Sequence, residues 1–522
     1  MSAISDLTAL IGEYNLLEKK QAELDRIKAE GPRDIRRGAL RIYTGSLYVL
    51  DNVLYCIAMK EGLKQLYLIA SGPFESGFEG KRLTEGGIHI LQAPLTKENS
   101  RELRRLFPFT VPVSLRNQRT TIGCGDRLGM ASAAHLRAIR QFDAYPVLAQ
   151  QSIRELNFTG RDFEGVVADA SFLVFQEGYE EGWGADGDHL KTIADIDSAL
   201  DAGMPMITLD LTEVLHPEAA GFDEQTLEDR FSLIDDTIRE YILAEYVGKK
   251  FSGDHYAISF SYAEAVTCTL MYWDALEFAA EVDAHLRARR GDAYDLEISI
   301  DETTSPTLPA HHLFITRELH RRNVAINSLA PRFIGDFQKA VDYIGDPEEF
   351  EQQFIVHCGI ARSFGAYKIS VHSGSDKFTV YPYIGRHTGR RLHLKTAGTS
   401  WLEAVHAIAR TDPQLFRLMY RKALGYFPEA LKSYHITADL TVLPDIDTLQ
   451  NDELEQYFEL APSRQLLHIT YGGLLKDPEV RGRFFTALNE HEDVHYGLLE
   501  KHFVKHLELL RLPRRNSVRE QP

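Results

Sequence analysis

From about residue 119 the chain settles into one rhythm, short apolar runs alternating with longer stretches of helical periodicity, and nothing else in the sequence limits the fold as tightly. The expected strands are TTIGC (120–124), YPVLAQQ (145–151), EGWGAD (181–186), MPMITLDL (204–211), DLEISI (295–300), VAINSLA (324–330), YKISVH (367–372) and RLHLKT (391–396). Helical patterns run over 130–142, 161–176, 190–202, 310–322, 336–364 and 400–410. This is an α/β pattern, and eight strands with intervening helices predict a closed (β/α)₈ TIM-like barrel, with an open doubly wound sheet as the alternative.

The rest of the 522 residues is arranged around that unit. Residues 1–110 read as an N-terminal helix (4–30) followed by a small β-rich region (40–95), and residues 111–411 as the barrel. After the fourth strand comes a helical insertion, about 213–290, and residues 412–522 form a helical region ending in a polar tail, PRRNSVREQP, expected to be disordered.

Composition removes several classes of function. No window approaches the ~18 apolar residues of a membrane span, and the N-terminus lacks the pattern of a signal peptide, so a cytoplasmic protein without a membrane partner is expected. The four cysteines, Cys56, Cys124, Cys268 and Cys358, form no C-x-x-C pair, which argues against a disulfide framework or thiolate zinc site. A net charge of −18 argues against nucleic acid, which needs a basic surface. A small anionic substrate needs only a local cluster of cations. Self-association is left open.

In parallel barrels the chemistry sits where strands end and βα loops begin. Polar residues load these exits: Asp126 and Arg127, Gln150 and Gln151, Asp186 to Lys191, Asp210 and Glu213, Asp301 and Glu302, Arg332, His372 with Ser373 and Ser375, and Lys395. In ADGDHLK (185–191), His189 is a candidate metal ligand beside Asp188 as a general base; helix capping by the aspartates is the plain alternative. In SIDETTSPT (299–307), alternation lets only one of Asp301 and Glu302 face the axis; Glu302 is taken as ligand or proton donor and Asp301 as its structural partner. His311 and His312 start the next helix, and either can reach inward. His372 ends the seventh strand as a second imidazole. Imidazoles with oxygen ligands suit Mn, Co, Ni, Zn or Fe(II) rather than Ca or Mg.

Two motifs are set aside. GCGDRLG (123–129) has the wrong glycine spacing for a dinucleotide fingerprint, so no nucleotide is expected. HEDVH (491–495) matches the H-E-x-x-H zinc pattern, but it lies on a His-rich terminal helix with His502 and His506, better read as solvated or partner-facing.

Together, GDRLG, GADGDHLKT, DETTSPT, LAPRFIGDFQKAVDYIGD, YKISVHSGSDKF and HLKTAGTSWLEA resemble the tagaturonate epimerase family of bacterial hexuronate catabolism, from about residue 110 to 410 and more loosely beyond. The resemblance implies an isomerase that interconverts D-tagaturonate and D-fructuronate with a divalent transition metal. It implies Asp188 as proton acceptor, Glu302 as proton donor, and His189, His372 and His312 as metal ligands. The inverted carbon lies one bond beyond the carbon next to the ketone, where simple enolisation cannot act, so a retro-aldol route is expected, with the 213–290 insertion as a candidate lid. Arg127, Lys191, Arg332, Lys377 and Lys395 are the cations expected around the substrate, with Asp126 beside them. A metal-dependent aldolase or ketose isomerase, and a non-enzymatic sugar-acid sensor, are the alternatives.

Overall fold

The computed structural model describes residues 3–301, 303 and 305–515. Its centre is a closed barrel of parallel strands: β1 (Thr120–Gly123), β2 (Tyr145–Ser152), β3 (Gly184–Leu190), β4 (Met206–Asp210), β5 (Asp295–Ile300), β6 (Ile326–Pro331), β7 (Lys368–Val371) and β8 (Leu392–Lys395). Each strand pairs with its neighbours in sequence, and β8 closes onto β1 with Leu392 opposite Thr120 and Lys395 opposite Gly123. Each overlaps an expected run, but β3 starts three residues later than expected and runs to Leu190, so Asp188 and His189 lie on the strand rather than in the loop after it.

The strands are buried on both faces, and the faces differ. Ile207, Leu209, Ile298, Ile369 and Leu394 join one apolar cluster with Leu313, Phe314 and Phe350 of the surrounding helices. The residues between them, Thr208, Glu297, Ser370 and His393, are buried and polar. Alternation along each strand thus gives an apolar outer surface for the helices and a polar interior near the strand exits.

The N-terminal region is an antiparallel sheet of seven strands between Asp34 and Pro94. The single helix expected over 4–30 is two, Ala3–Glu13 and Gln21–Glu30, because Asn15 turns left-handed (φ 50°) and Lys19 and Lys20 are extended. The insertion contains helices Glu224–Phe231 and Asp236–Glu245, a hairpin Lys250–Gly253/Tyr256–Ser259 where only helix was expected, and the long helix Tyr262–Arg290. The hairpin packs against α1 (Pro309–Arg321) and α2 (Pro347–Ser363) on the outside of the barrel. Helix α2 starts eleven residues later than the expected 336, at Pro347, since Asp346 caps it and proline suits the first turn. Residues 336–346 are a loop instead.

Three helices of the C-terminal part matter below: α3 (Ala397–Thr411), α4 (Ala461–Ile469) and α5 (Glu492–Leu509). Trp401, Phe416, Leu466 and Phe484 build their shared core. Helix α5 also fastens the N-terminal sheet. Buried Glu492 pairs with Arg41 and Lys64 and accepts the Tyr43 hydroxyl at 2.7 Å. The HEDVH motif is therefore internal on one side only: Glu492 joins two parts of the chain and His495 is buried, while His491 and Asp493 are exposed. Of the polar tail expected to be disordered, residues 516–522 lie outside the described residues; its start is tied down, with Asp143 N–H donating to the Pro513 carbonyl and Arg515 N–H to that of Gln141. Among the described residues no helix is long and apolar enough to cross a membrane.

Candidate metal centre and substrate pocket

A cavity of about 430 Å³ opens at the C-terminal ends of the strands, within the usual ligand-site range of ~300–1,000 Å³. His189, Asp301 and His372, from the exits of β3, β5 and β7, meet at its floor, with one ligand atom from each lying within 4.8 Å of the others. His372 Nδ1 is 2.9 Å and His189 Nε2 3.9 Å from Asp301 Oδ1. The rings themselves lie 4.9 Å apart.

Each imidazole is braced through its other nitrogen. His372 Nε2–H donates to Glu297 at 2.6 Å, and His189 Nδ1–H to Asp188 Oδ1 at 2.9 Å. Carboxylate bracing of this kind fixes the tautomer and ring orientation of metal-ligating histidines. Among the described residues His372 Nδ1 is buried without a hydrogen bond although Asp301 is close, so the two atoms sit beside each other facing shared space. Two imidazole nitrogens and a carboxylate oxygen at these separations fit a transition-metal ion with bonds of ~2.0–2.2 Å.

Local backbone explains how Asp188 and His189 both reach this place. Neighbouring strand residues ordinarily point to opposite sides. Here His189 has φ 55°, and the pairing of β3 with β4 shifts between Gly187 and Leu190. A left-handed residue that is not glycine costs ~1–3 kcal/mol and clusters at functional sites.

Beneath the triad the buried Lys395 ammonium bonds Asp188 at 2.6 Å and Asp186 at 3.0 Å, lies 3.0 Å from Glu297, and also reaches the Thr208 hydroxyl. Burial works to raise the Asp188 and Glu297 pKa values, but Lys395, with His189 beside the first and His372 beside the second, outweighs it and holds both well below the usual range. Burial does win at Asp186, raised to about 6. Asp301 is likewise held low, against its burial, by His372 and His189. Burial lowers both imidazoles, yet Asp188 and Asp301 at His189, and Asp301 and Glu297 at His372, pull them above the ordinary histidine value. The site is thus built for a positive charge between its two rings.

The residues expected at the site divide. Asp188, His189, His372 and Lys395 come together; Lys395, however, serves protein carboxylates. Glu302 lies outside the described residues. His312 does not join them: it is buried in the helical layer, bonded through Nδ1 to His357 at 2.8 Å and through Nε2 to the Tyr367 hydroxyl at 2.6 Å, so neither nitrogen is left for an ion. Its neighbour His311 meets the Tyr272 hydroxyl. Asp126 is occupied in capping its own loop, accepting from Leu128, Gly129 and Ala131 N–H. Arg127 and Lys191 line the pocket, Arg127 paired with Glu155 and Lys191 3.7 Å from Asp210. Arg332 donates to the Thr303 carbonyl and faces an adjoining pocket. Lys377 is buried away from the cavity, its three protons spent on the carbonyls of Gln338, Val341 and Ser375. The insertion contributes Glu213 to the lining; Tyr434 and His468 of the C-terminal part contribute more, because the hairpin is packed outside.

Sequence reasoning gave Asp301 a supporting role, gave Asp186 no role beyond its place at a strand exit, and missed Glu297, Lys339 and His468. Period two in DLEISID was the available signal: with Leu296, Ile298 and Ile300 facing the helices, Glu297, Ser299 and Asp301 face the axis. A second group, Asp376, His502 and His506, also brings ligand atoms together. There Arg464 already pairs with Asp376 at 2.7 Å, and His506 Nε2 accepts the Asp376 N–H, so the group closes on itself.

The chain matches known proteins over most of its length. A family model described as tagaturonate epimerase matches residues 43–510. The tagaturonate/fructuronate epimerase of Thermotoga maritima is 39% identical over 472 residues, covering 90% of this chain and 96% of that protein. The crystal structure of native fructuronate-tagaturonate epimerase UxaE from Cohnella laeviribosi superposes with a TM-score of 0.87 at 42% identity, covering 94% of this chain and 99% of that one. Its one-glycerol complex gives 0.86 at 41% identity, with the same coverage of both chains. Matched across barrel, N-terminal sheet and C-terminal helices alike, the chain belongs to the tagaturonate epimerase family.

Proposed function

We propose that this chain interconverts D-tagaturonate and D-fructuronate, that His189, Asp301 and His372 hold a divalent transition metal, and that inversion follows a retro-aldol route. One observation carries the metal assignment: ligand atoms from three separate strand exits converge while each imidazole is braced from behind by a carboxylate. Held there, such an ion supplies Lewis-acid stabilisation of negative charge developing on the substrate's oxygens.

The chain's own residues supply the proton chemistry. Asp188 lines the pocket, and its two bonds, from Lys395 and His189, both fall on Oδ1. Its other oxygen takes the proton of the hydroxyl on the carbon to be inverted. As that C–O bond becomes a carbonyl, the bond to the carbon next to the ketone breaks, and its electron pair passes into an enediolate. Lys395 keeps the Asp188 carboxylate ionised until the substrate hydroxyl is presented. The aldehyde fragment turns, the carbon–carbon bond re-forms on its other face, and Asp188 returns the proton. Glu302 is proposed as the second proton-handling group. Tyr434 and His468 flank the cavity and help retain both fragments.

Proton NMR in D₂O tests the route. The inverted carbon keeps its own hydrogen through a retro-aldol cycle, so fructuronate formed from tagaturonate should retain protium there. Deuterium at that carbon would exclude the route, and absence of fructuronate would exclude the activity.

A further inference from the structure

The pocket is bipolar. Its floor is carboxylate-rich around Lys395; on another side it presents Arg127, Lys339 and the N-terminus of α3, through Ala397 and Gly398. Thr396, at the cap of α3, spends its hydroxyl on the Gly123 carbonyl and makes no capping bond, and the first two residues of this fifteen-residue helix, Ala397 and Gly398, line the cavity.

His468 of α4 closes this side. It is 2% exposed, it lines the cavity, and neither ring nitrogen has a hydrogen-bond partner among the described residues. Its ring occupies the space where a side chain at Gly398 would begin, so glycine there lets the imidazole sit on the helix N-terminus. A second buried donor nitrogen, Arg127 Nη1, also lacks a partner among the described residues, while the rest of that guanidinium pairs with Glu155 and stacks on Tyr471 at 3.9 Å. Lys339 is held by the Ser373 hydroxyl at 2.7 Å, beside His372. Buried donors without acceptors are costly to leave unmet, and here they surround one end of a sugar-sized cavity.

We propose that Lys339, Arg127 and His468, with the N-terminus of α3, form the subsite that takes the substrate's carboxylate and selects sugar acids over neutral ketoses. This assignment rests on the sugar-acid reading above and adds which residues read the acid. Burial, with Arg127 and Lys339 nearby, keeps the His468 pKa well below its ordinary value, so the ring is a neutral N–H donor rather than a competing charge. Lys339 comes from the loop between β6 and α2 and His468 from the C-terminal helices, so the acid is read jointly by βα loops of the barrel and by a helix outside the repeat.

The test compares tagaturonate with D-tagatose, in which a hydroxymethyl group replaces the carboxylate. Lys339→Met and His468→Leu should each lower the ratio of kcat/KM for tagaturonate to kcat/KM for tagatose by about tenfold or more, with KM carrying the change. Lys339→Arg should restore part of it. Calorimetry should show the same weakening of tagaturonate binding, and an unchanged Tm establishes folding. If both substrates lose equally, or the ratio stands still in every variant that folds, the assignment is overturned. A wild-type protein that turns over neither sugar would remove the proposed function; the calorimetric comparison would then decide the subsite alone.

Discussion

His189 concentrates the chemistry of the site into one residue. It departs from strand geometry, it is braced by the residue before it, and it faces an aspartate from another strand. The carboxylates around it and His372 raise both imidazole pKa values above the ordinary 6.5. A metal ligand must be neutral, so protons compete with the ion until the pH exceeds those raised values. Metal affinity should therefore stay weak below pH 6.5 and climb as the pH rises above it through the raised values. Calorimetric titration with Mn²⁺ at several pH values checks this; a pH-independent affinity would contradict it. Residue identity was legible in the sequence for Asp188, His189, His372 and Lys395, since each stands at a strand exit. His312 was misread because a histidine at a helix start says nothing about which side of the helix it occupies, and here it turned to His357 and Tyr367.

Among the elements, the strands were the most legible, since eight apolar runs set between helical patterns admit few alternatives. Two elements were not. Asp346 and Pro347 shorten the helix expected from residue 336, and the freed loop carries Lys339 into the pocket. The hairpin inside the insertion is short and only half-buried, so its alternation is faint. Helix α5 shows the opposite case, a conspicuous motif with a structural role. Removing one member of a buried ion network leaves the others unpaired at a cost of ~3–5 kcal/mol. Glu492→Ala should destabilise the protein by about that amount, read as a lower Tm and denaturant midpoint, whereas an unchanged Tm would show that the sheet is held otherwise. Burial raises the Glu492 carboxyl, but Lys64 and Arg41 prevail and set it below its ordinary 4.5. Its contribution is consequently complete above pH 4.5 and is lost as the pH falls through the lowered value.

Across the whole molecule, the barrel provides the carboxylate-rich floor and the C-terminal helices complete the opposite side. The family match likewise extends far past the eighth strand, to residue 510. The C-terminal side was the least legible part of the site, because His468 belongs to no motif and acquires meaning only when α4 meets α3. Both the proposed chemistry and the bracing of the two imidazoles centre on a single ion between β3, β5 and β7. Metal stoichiometry tests it most directly: equilibrium binding of Mn²⁺ to the wild type, to Asp301→Ala and to His372→Ala, with His502→Ala as the comparison at the other histidine cluster. The expected result is one ion per chain for the wild type and His502→Ala, and none for the other two. Full occupancy in Asp301→Ala and His372→Ala, with loss in His502→Ala, would contradict it.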